Sequence, residues 1–212
     1  MSVESPFLQF RIELLGIEPL IWRRIQVPGD YTFWDLHVAI QSAFAWHDSH
    51  LHEFNLTTKK GERLRIGLPV EDDFDDGTRG ELLPDWRVKV ADYLDAKGQR
   101  IEYLYDFGDD WHHAIIFEDK LPKAPGKKYP RCTAGERSGP PDDCGGPHGY
   151  ESLLEILANP KDEEYKSSHV WAASMKGRRG KFDPEAFDEQ AVKFENPKKV
   201  RKICEDIPQV IK

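Results

Sequence analysis

Leu8, Phe10, Ile12 and Leu14 alternate with Gln9, Arg11 and Glu13, the period-two pattern of a strand with one buried and one wet face. Gly16 to Pro19 interrupts the pattern. Leu20 to Val27 then resumes as a second extended segment carrying Trp22, Arg23 and Arg24, so the two runs predict a β-hairpin that ends at Pro28-Gly29-Asp30. Thr32 with Asp35 three residues on is close to a capping box. It opens a predicted helix whose Leu36, Ala39, Ile40, Ala43 and Phe44 share one face, and that face requires a sheet to pack against. His52, Phe54 and Leu56 return to strand parity, followed by a turn at Lys60-Gly61 and a short strand around Leu64 and Ile66. Residues 71–80 are acidic and unpatterned, which predicts an exposed loop. Ile101, Tyr103, Tyr105 and Phe107 alternate with Glu102, Leu104 and Asp106, and Trp111 to Phe117 forms the second arm of another hairpin.

The next segment breaks the rhythm. Pro122 to Gly149 contains six prolines, a composition that forbids long regular elements. Tyr150, Leu153, Leu154, Leu157 and Ala158 mark one helical face that stops at Asn159-Pro160. A further helix is expected over 162–175, and Asp183-Pro184 reads as the N-cap and first position of a third. The predicted fold is α+β: a mostly antiparallel sheet built from hairpins, one long N-terminal helix packed on it, a Pro/Gly-rich loop and C-terminal helices. We expect a single domain over residues 1–212, with sheet and helix in 1–121, the loop in 122–149 and a helical appendage in 150–212.

Composition supports a packed core, since 39% of residues are apolar and six Trp, seven Tyr and eleven Phe supply aromatic mass. No stretch approaches the roughly 20 apolar residues of a membrane span, and Met1 to Pro6 lacks a basic leader. A soluble, unsecreted protein without membrane association is therefore expected. Cysteines at only 132, 144 and 204 do not make a disulfide framework, which points to a reducing cytoplasm. The formal charge of −8 argues against affinity built on phosphate neutralisation. Two basic runs, Lys176 to Lys181 and Lys198 to Lys202, read as solvated surface.

Chemistry-bearing residues concentrate in three places. The first is Tyr105 to His113, with Asp106, Asp109, Asp110, Trp111, His112 and His113. A two-residue turn at Gly108-Asp109 pairs Asp106 with Trp111 and lets Asp106 orient His113; a three-residue turn instead places His113 with Tyr105 and Phe107. The second is His47 to Glu53, where His50 and His52 lie on one side of an extended strand from which both reach a metal, although the helical His-Glu-x-x-His order of a metalloprotease is absent. The third is Cys132 with Asp142, Asp143, Cys144, Gly145 and Gly146. Eleven residues between the cysteines do not make a zinc knuckle. Zinc held by Cys132, Cys144 and imidazoles from His50, His52, His112 or His113 would secure this loop; hydrogen bonds and packing would secure it equally. Gly145 to Tyr150 precedes a helix without the Lys and Ser/Thr of a P-loop, and no Ser sits in a nucleophile elbow.

Taken in order, Pro19 to Arg24, Leu36-His37 with Ile40-Gln41, Trp46 through His50 to Phe54, Tyr105 to Trp111 with His113, Cys132 with Gly135, Pro140 to Gly146 with Gly149-Tyr150, and Phe182 to Pro184 with Phe187 resemble the plasmid pRiA4b ORF-3-like family, which also occurs as insertion-element passenger proteins. Asp142 stands where the family pattern more often has Glu. The resemblance implies an α+β domain linked with mobile DNA and no established enzymatic activity. A resolvase label carried by some members finds no basic reading helix or serine nucleophile here.

The expectation drawn from this chain is a non-catalytic binding module for a protein or a small polar ligand. Its candidate residues are His50, His52, Asp106, Asp109, Asp110, Trp111, His113, Asp142, Asp143, Gly145 and Gly146. A metal-dependent hydrolase or nuclease using the Asp/His/Cys cluster is the second reading, and nucleic-acid binding through the basic runs is the third.

Overall fold

A computed structural model describes residues 6–69, 82–177 and 179–205. The loop expected at 71–80, Arg178 of the first basic run and the Cys204 side chain lie outside the described residues. β1 (Phe7–Leu14) and β2 (Ile21–Pro28) form the first hairpin, antiparallel with Leu8 opposite Val27 and Leu14 opposite Ile21. α1 (Phe33–Phe44) follows, with the capping box complete: the Asp35 amide donates to the Thr32 hydroxyl oxygen, and the Thr32 amide donates to the Asp35 carboxylate at 2.9 Å. β3 (His52–Thr57), β4 (Arg63–Gly67), β5 (Leu82–Pro84), β6 (Arg100–Tyr105), β7 (Trp111–Leu121) and β8 (Arg131–Glu136) complete one eight-stranded sheet in the order β5-β4-β3-β6-β7-β1-β2-β8. Every neighbouring pair is antiparallel except β4 with β5.

One sheet face is dry and the other open, as the alternation requires. Leu8, Phe10, Ile12 and Leu14 of β1 and Ile101, Tyr103 and Tyr105 of β6 are buried beneath α1. The opposite face carries Arg11, Glu13, Trp22, Arg24 and Glu118; there the Arg11 guanidinium lies 4.0 Å from the Trp22 ring centre and Arg24 donates to Glu118 at 2.6 Å. Trp22 therefore faces the open side and Arg23 the core. α1 is nearly all buried because the 3₁₀ turn at Asp85–Arg87 and α4 (Pro197–Glu205) pack against the side turned from the sheet.

Several expectations need correction. The first helix has 12 residues, so the sheet dominates and the helix is three turns rather than long. The Pro/Gly-rich segment contributes a six-residue strand, β8, on the edge beside β2. α2 (Gly146–Ala158) starts four residues before Tyr150, and α3 spans Tyr165–Met175. No helix begins at Asp183-Pro184: the Glu185 amide donates to the Asp183 carboxylate at 3.0 Å in a turn, and Phe182 on one side of it is buried while Phe187 on the other reaches Arg23. The next helix is α4.

Candidate functional site

The β6–β7 hairpin closes through five residues, 106–110, because Tyr105 pairs with Trp111 and Tyr103 with His113. Asp106 and Asp110 both take left-handed backbone, φ 56 and φ 58, a conformation that Asp tolerates better than most residues. Asp106 Oδ1 accepts the amides of Gly108 at 2.9 Å and Asp109 at 3.2 Å, fixing the turn from within. Asp106 does not orient His113. His113 is fully buried, with Nδ1 3.3 Å from the Tyr103 carbonyl and 3.1 Å from the Trp111 carbonyl. Two carbonyl acceptors place the proton on Nδ1, leaving Nε2 as an unshared lone pair among the rings of Phe44, Trp46 and Tyr103. Burial drives its pKa down to about 3, so it is a neutral core residue.

Two further loops meet this hairpin end. The approach to β3, residues 46–51, is tied down at each step. Trp46 Nε1 donates to the Pro140 carbonyl at 3.0 Å, the His47 amide to Asp142 Oδ2 at 2.6 Å, and the Ser49 amide to the Tyr105 hydroxyl at 3.2 Å. The loop after β8 is held by the Gly145 amide donating to Asp109 Oδ2 at 3.1 Å. Asp142 is buried, which pushes its carboxyl pKa up against the His47 amide bond. Gly145 caps α2 in the left-handed region at φ 87 with no side-chain cap. A Cβ on Gly146 would lie 2.2 Å from the Asp109 carbonyl oxygen, so that position has to be glycine for the two loops to touch.

Where the loops meet, His50 Nε2 lies 2.8 Å from Asp143 Oδ1 and 3.5 Å from Asp106 Oδ2. Beside this trio, His112 bridges Glu102 at 2.7 Å and Asp110 at 3.0 Å; these bonds raise its pKa although partial burial opposes them. His52 is not part of the cluster. It points into the core, stacked on His37 with ring centres 3.5 Å apart and bonded to buried Asp85 at 2.8 Å, and burial lowers its pKa.

Cys132, Cys144 and His113 do not converge as metal ligands: among the described residues the grouping of possible ligands is His50, Asp106 and Asp143. Cys132 is buried, its thiol donating to the Ala134 carbonyl at 3.4 Å. Burial raises the Cys144 thiol pKa to about 12, which keeps it protonated and a poor nucleophile. Trp111 is core.

Sequence reasoning missed the buried ring beneath the site. Gln41 Nε2 donates to the Tyr103 hydroxyl at 3.0 Å, that hydroxyl meets His37 Nδ1 at 2.8 Å, and His37 Nε2 meets Asp48 Oδ1 at 2.6 Å. The Asp48 amide closes the circuit on Gln41 Oε1 at 3.2 Å. The ring sets Asp48, at φ 57, and hence the loop that presents His50. Its one sequence signal was a His and a Gln four apart, His37 and Gln41, in the apolar middle of the helix.

An open, mostly antiparallel sheet covered on one face by helices, with a polar three-loop corner at one end, defines an α+β protein. The chain belongs to the plasmid pRiA4b ORF-3-like protein family, which matches residues 6–191. It is 34% identical over 170 residues to the uncharacterized protein y4hQ of Sinorhizobium fredii, covering 79% of this chain and 81% of that one. The crystal structure of the protein of unknown function MM3350 from Methanosarcina mazei Go1 shares 40% identity and superposes with a TM-score of 0.76, covering 90% of this chain and 99% of that one. No helix among the described residues is long and apolar enough to cross a membrane.

Proposed function

We propose that the protein is a non-catalytic binding module whose face is the corner formed by residues 47–51, 106–112 and 142–146, taking a small polar ligand. The observation that supports this reading is the cross-tied loop corner. Its backbone is fixed by side-chain bonds from Tyr105, Asp106, Asp109 and Asp142, while His50 and Asp143 stay accessible, with side chains 32% and 58% exposed. A rigid frame presenting a few polar tips lowers the ordering cost of binding. An open cavity of about 920 Å³ adjoins the corner, lined by Ala45, Trp46, His47, Lys176, Phe182 and Phe187, within the size range of small-molecule sites. The protonated Cys144 thiol and neutral His113 speak for binding over covalent chemistry. A metal-dependent hydrolase is the second reading, favoured by the His50, Asp106 and Asp143 grouping.

The test is amide NMR of the protein, once in chelator and once with added ZnCl₂ or MnCl₂, against a library of small carboxylates, phosphates and amines. Expected are saturable shifts centred on residues 47–51, 106–112 and 142–146. Shifts centred elsewhere, no shifts at all, or turnover of a phosphodiester or ester probe would overturn the reading.

A further inference from the structure

We propose that His50, Asp106 and Asp143 bind a divalent first-row transition cation, an inference that rests on the binding-module reading for its location and names what sits at its centre. One ligand atom from each residue lies within 4.8 Å of the other two. Ligands about 2.1 Å from an ion sit about 3.0 Å apart at right angles and about 3.4 Å apart at tetrahedral angles. Two of the three separations, 2.8 and 3.5 Å, already match those edges. The third closes by rotation of Asp143, whose side chain is 58% exposed.

A second observation points the same way. Asp106 is only 7% exposed. Its Oδ1 is taken by two turn amides, while Oδ2 faces His50 Nε2 at 3.5 Å. The one Nε2 hydrogen of His50 is directed to Asp143 at 2.8 Å, and the Asp106 oxygen lies farther off, at 3.5 Å. Two carboxylates converging on one imidazole, one of them largely withdrawn from water, are stabilised where positive charge sits between them. A cation supplies that charge to both carboxylates, and on binding the imidazole proton shifts from Nε2 to the accessible Nδ1.

The donor set selects the ion. One imidazole nitrogen with two carboxylates suits Mn²⁺, Fe²⁺, Co²⁺ or Zn²⁺, whereas Ca²⁺ and Mg²⁺ favour oxygen alone. Three protein ligands leave positions open for an oxygen of a polar ligand. The neighbouring His112 cluster cannot compete, because Glu102 and Asp110 engage opposite ring nitrogens.

The experiment is calorimetric titration of chelator-stripped full-length protein with ZnCl₂ and with MnCl₂, for the wild type and for Asp143→Asn, His50→Gln and His112→Gln. Asn holds φ 57 as readily as Asp, so Asp143→Asn keeps the loop, which a thermal melt verifies. One equivalent bound by the wild type, weakened at least roughly ten-fold in Asp143→Asn and His50→Gln and unchanged in His112→Gln, is the expected result. No binding, or equal binding in all variants, overturns the cation site. Because one arm of the amide NMR test runs in chelator, loop-centred shifts there with no cation binding here would remove this inference alone, and failure of both would remove the site.

Discussion

Arg23 occupies a core-facing position of β2 between Ile21 and Ile25, yet it is only 2% exposed. Its guanidinium reaches four carbonyls: Ala43 at 2.9 Å, Trp22 at 2.7 Å, Glu136 at 2.8 Å and Arg137 at 2.7 Å. The ring of Phe187 lies 4.0 Å from it. Burial lowers its pKa to about 10, which leaves it charged at neutral pH. Replacement by Met strands four acceptors, and at about 1–3 kcal/mol for each acceptor left unsatisfied the expected loss is at least about 4 kcal/mol in urea unfolding. Arg23→Lys should recover little, because a point charge cannot serve acceptors arranged around a planar fork; recovery to near wild-type stability would show that charge alone matters. The sequence leaves open whether Trp22, Arg23 and Arg24 face the core or solvent, because Trp and Arg suit an interface as well as a strand that needs core residues. Three of the four acceptors of Arg23 were not legible either, since Ala43 lies near the end of α1 and Glu136 and Arg137 at the end of β8 and just past it, 20 and more residues away. The same limit explains His50 and His52. Both share parity in sequence, but the strand begins only at His52, so the core takes one imidazole and the corner the other.

At the scale of elements, β1 to β4, β6, β7 and α1 followed from local pattern, whereas β5, β8 and the turns follow from contacts that the pattern does not encode. The 106–110 loop has five residues because Asp106 and Asp110 both sit left-handed and Asp109 reaches across to the Gly145 amide. Asp183-Pro184 carries a good helix-start signal but makes a turn, since a helix there would not hold Phe182 in the core and Phe187 over Arg23 together. The junction of hairpin and α2 depends on Gly146, at φ 69 with the Asp109 carbonyl where a Cβ would be. Gly146→Ala is expected to cost at least about 2 kcal/mol in thermal unfolding and to move the Asp109 and Gly145 amide signals. Gly61→Ala, at φ 85 with nothing within 4 Å of a Cβ, should cost only about 1 kcal/mol. Equal effects at the two positions would show that backbone conformation, not the approach of the loops, sets the requirement.

For the whole molecule, the buried imidazoles couple stability to acid. His113 titrates near 6.5 when unfolded and at about 3 in the fold, with burial the main cause; His52 shifts in the same direction. Their folded pKa values are depressed, so below pH 6.5 the unfolded chain binds protons that the native state refuses, and stability falls as pH falls until the folded pKa is reached. At 1.36 kcal/mol per pH unit, His113 alone removes on the order of 3 kcal/mol between pH 6.5 and 4.5. Urea midpoints across that window should drop steeply for the wild type. His113→Phe gives up the bonds to the Tyr103 and Trp111 carbonyls and starts less stable at pH 7, but its slope should be shallower by about that amount; an unchanged slope would assign the acid sensitivity elsewhere. The rings around His113 are those of Phe44, Trp46 and Tyr103, and Trp46 also carries the loop tie to Pro140. Acid entry into this core should therefore release the corner and the sheet together, with the amide signals of residues 47–51 and 106–112 vanishing in step with the β1 and β7 signals. Loss of the corner first, over an intact sheet, would mean that the loops are held by their own bonds rather than by the aromatic core beneath them.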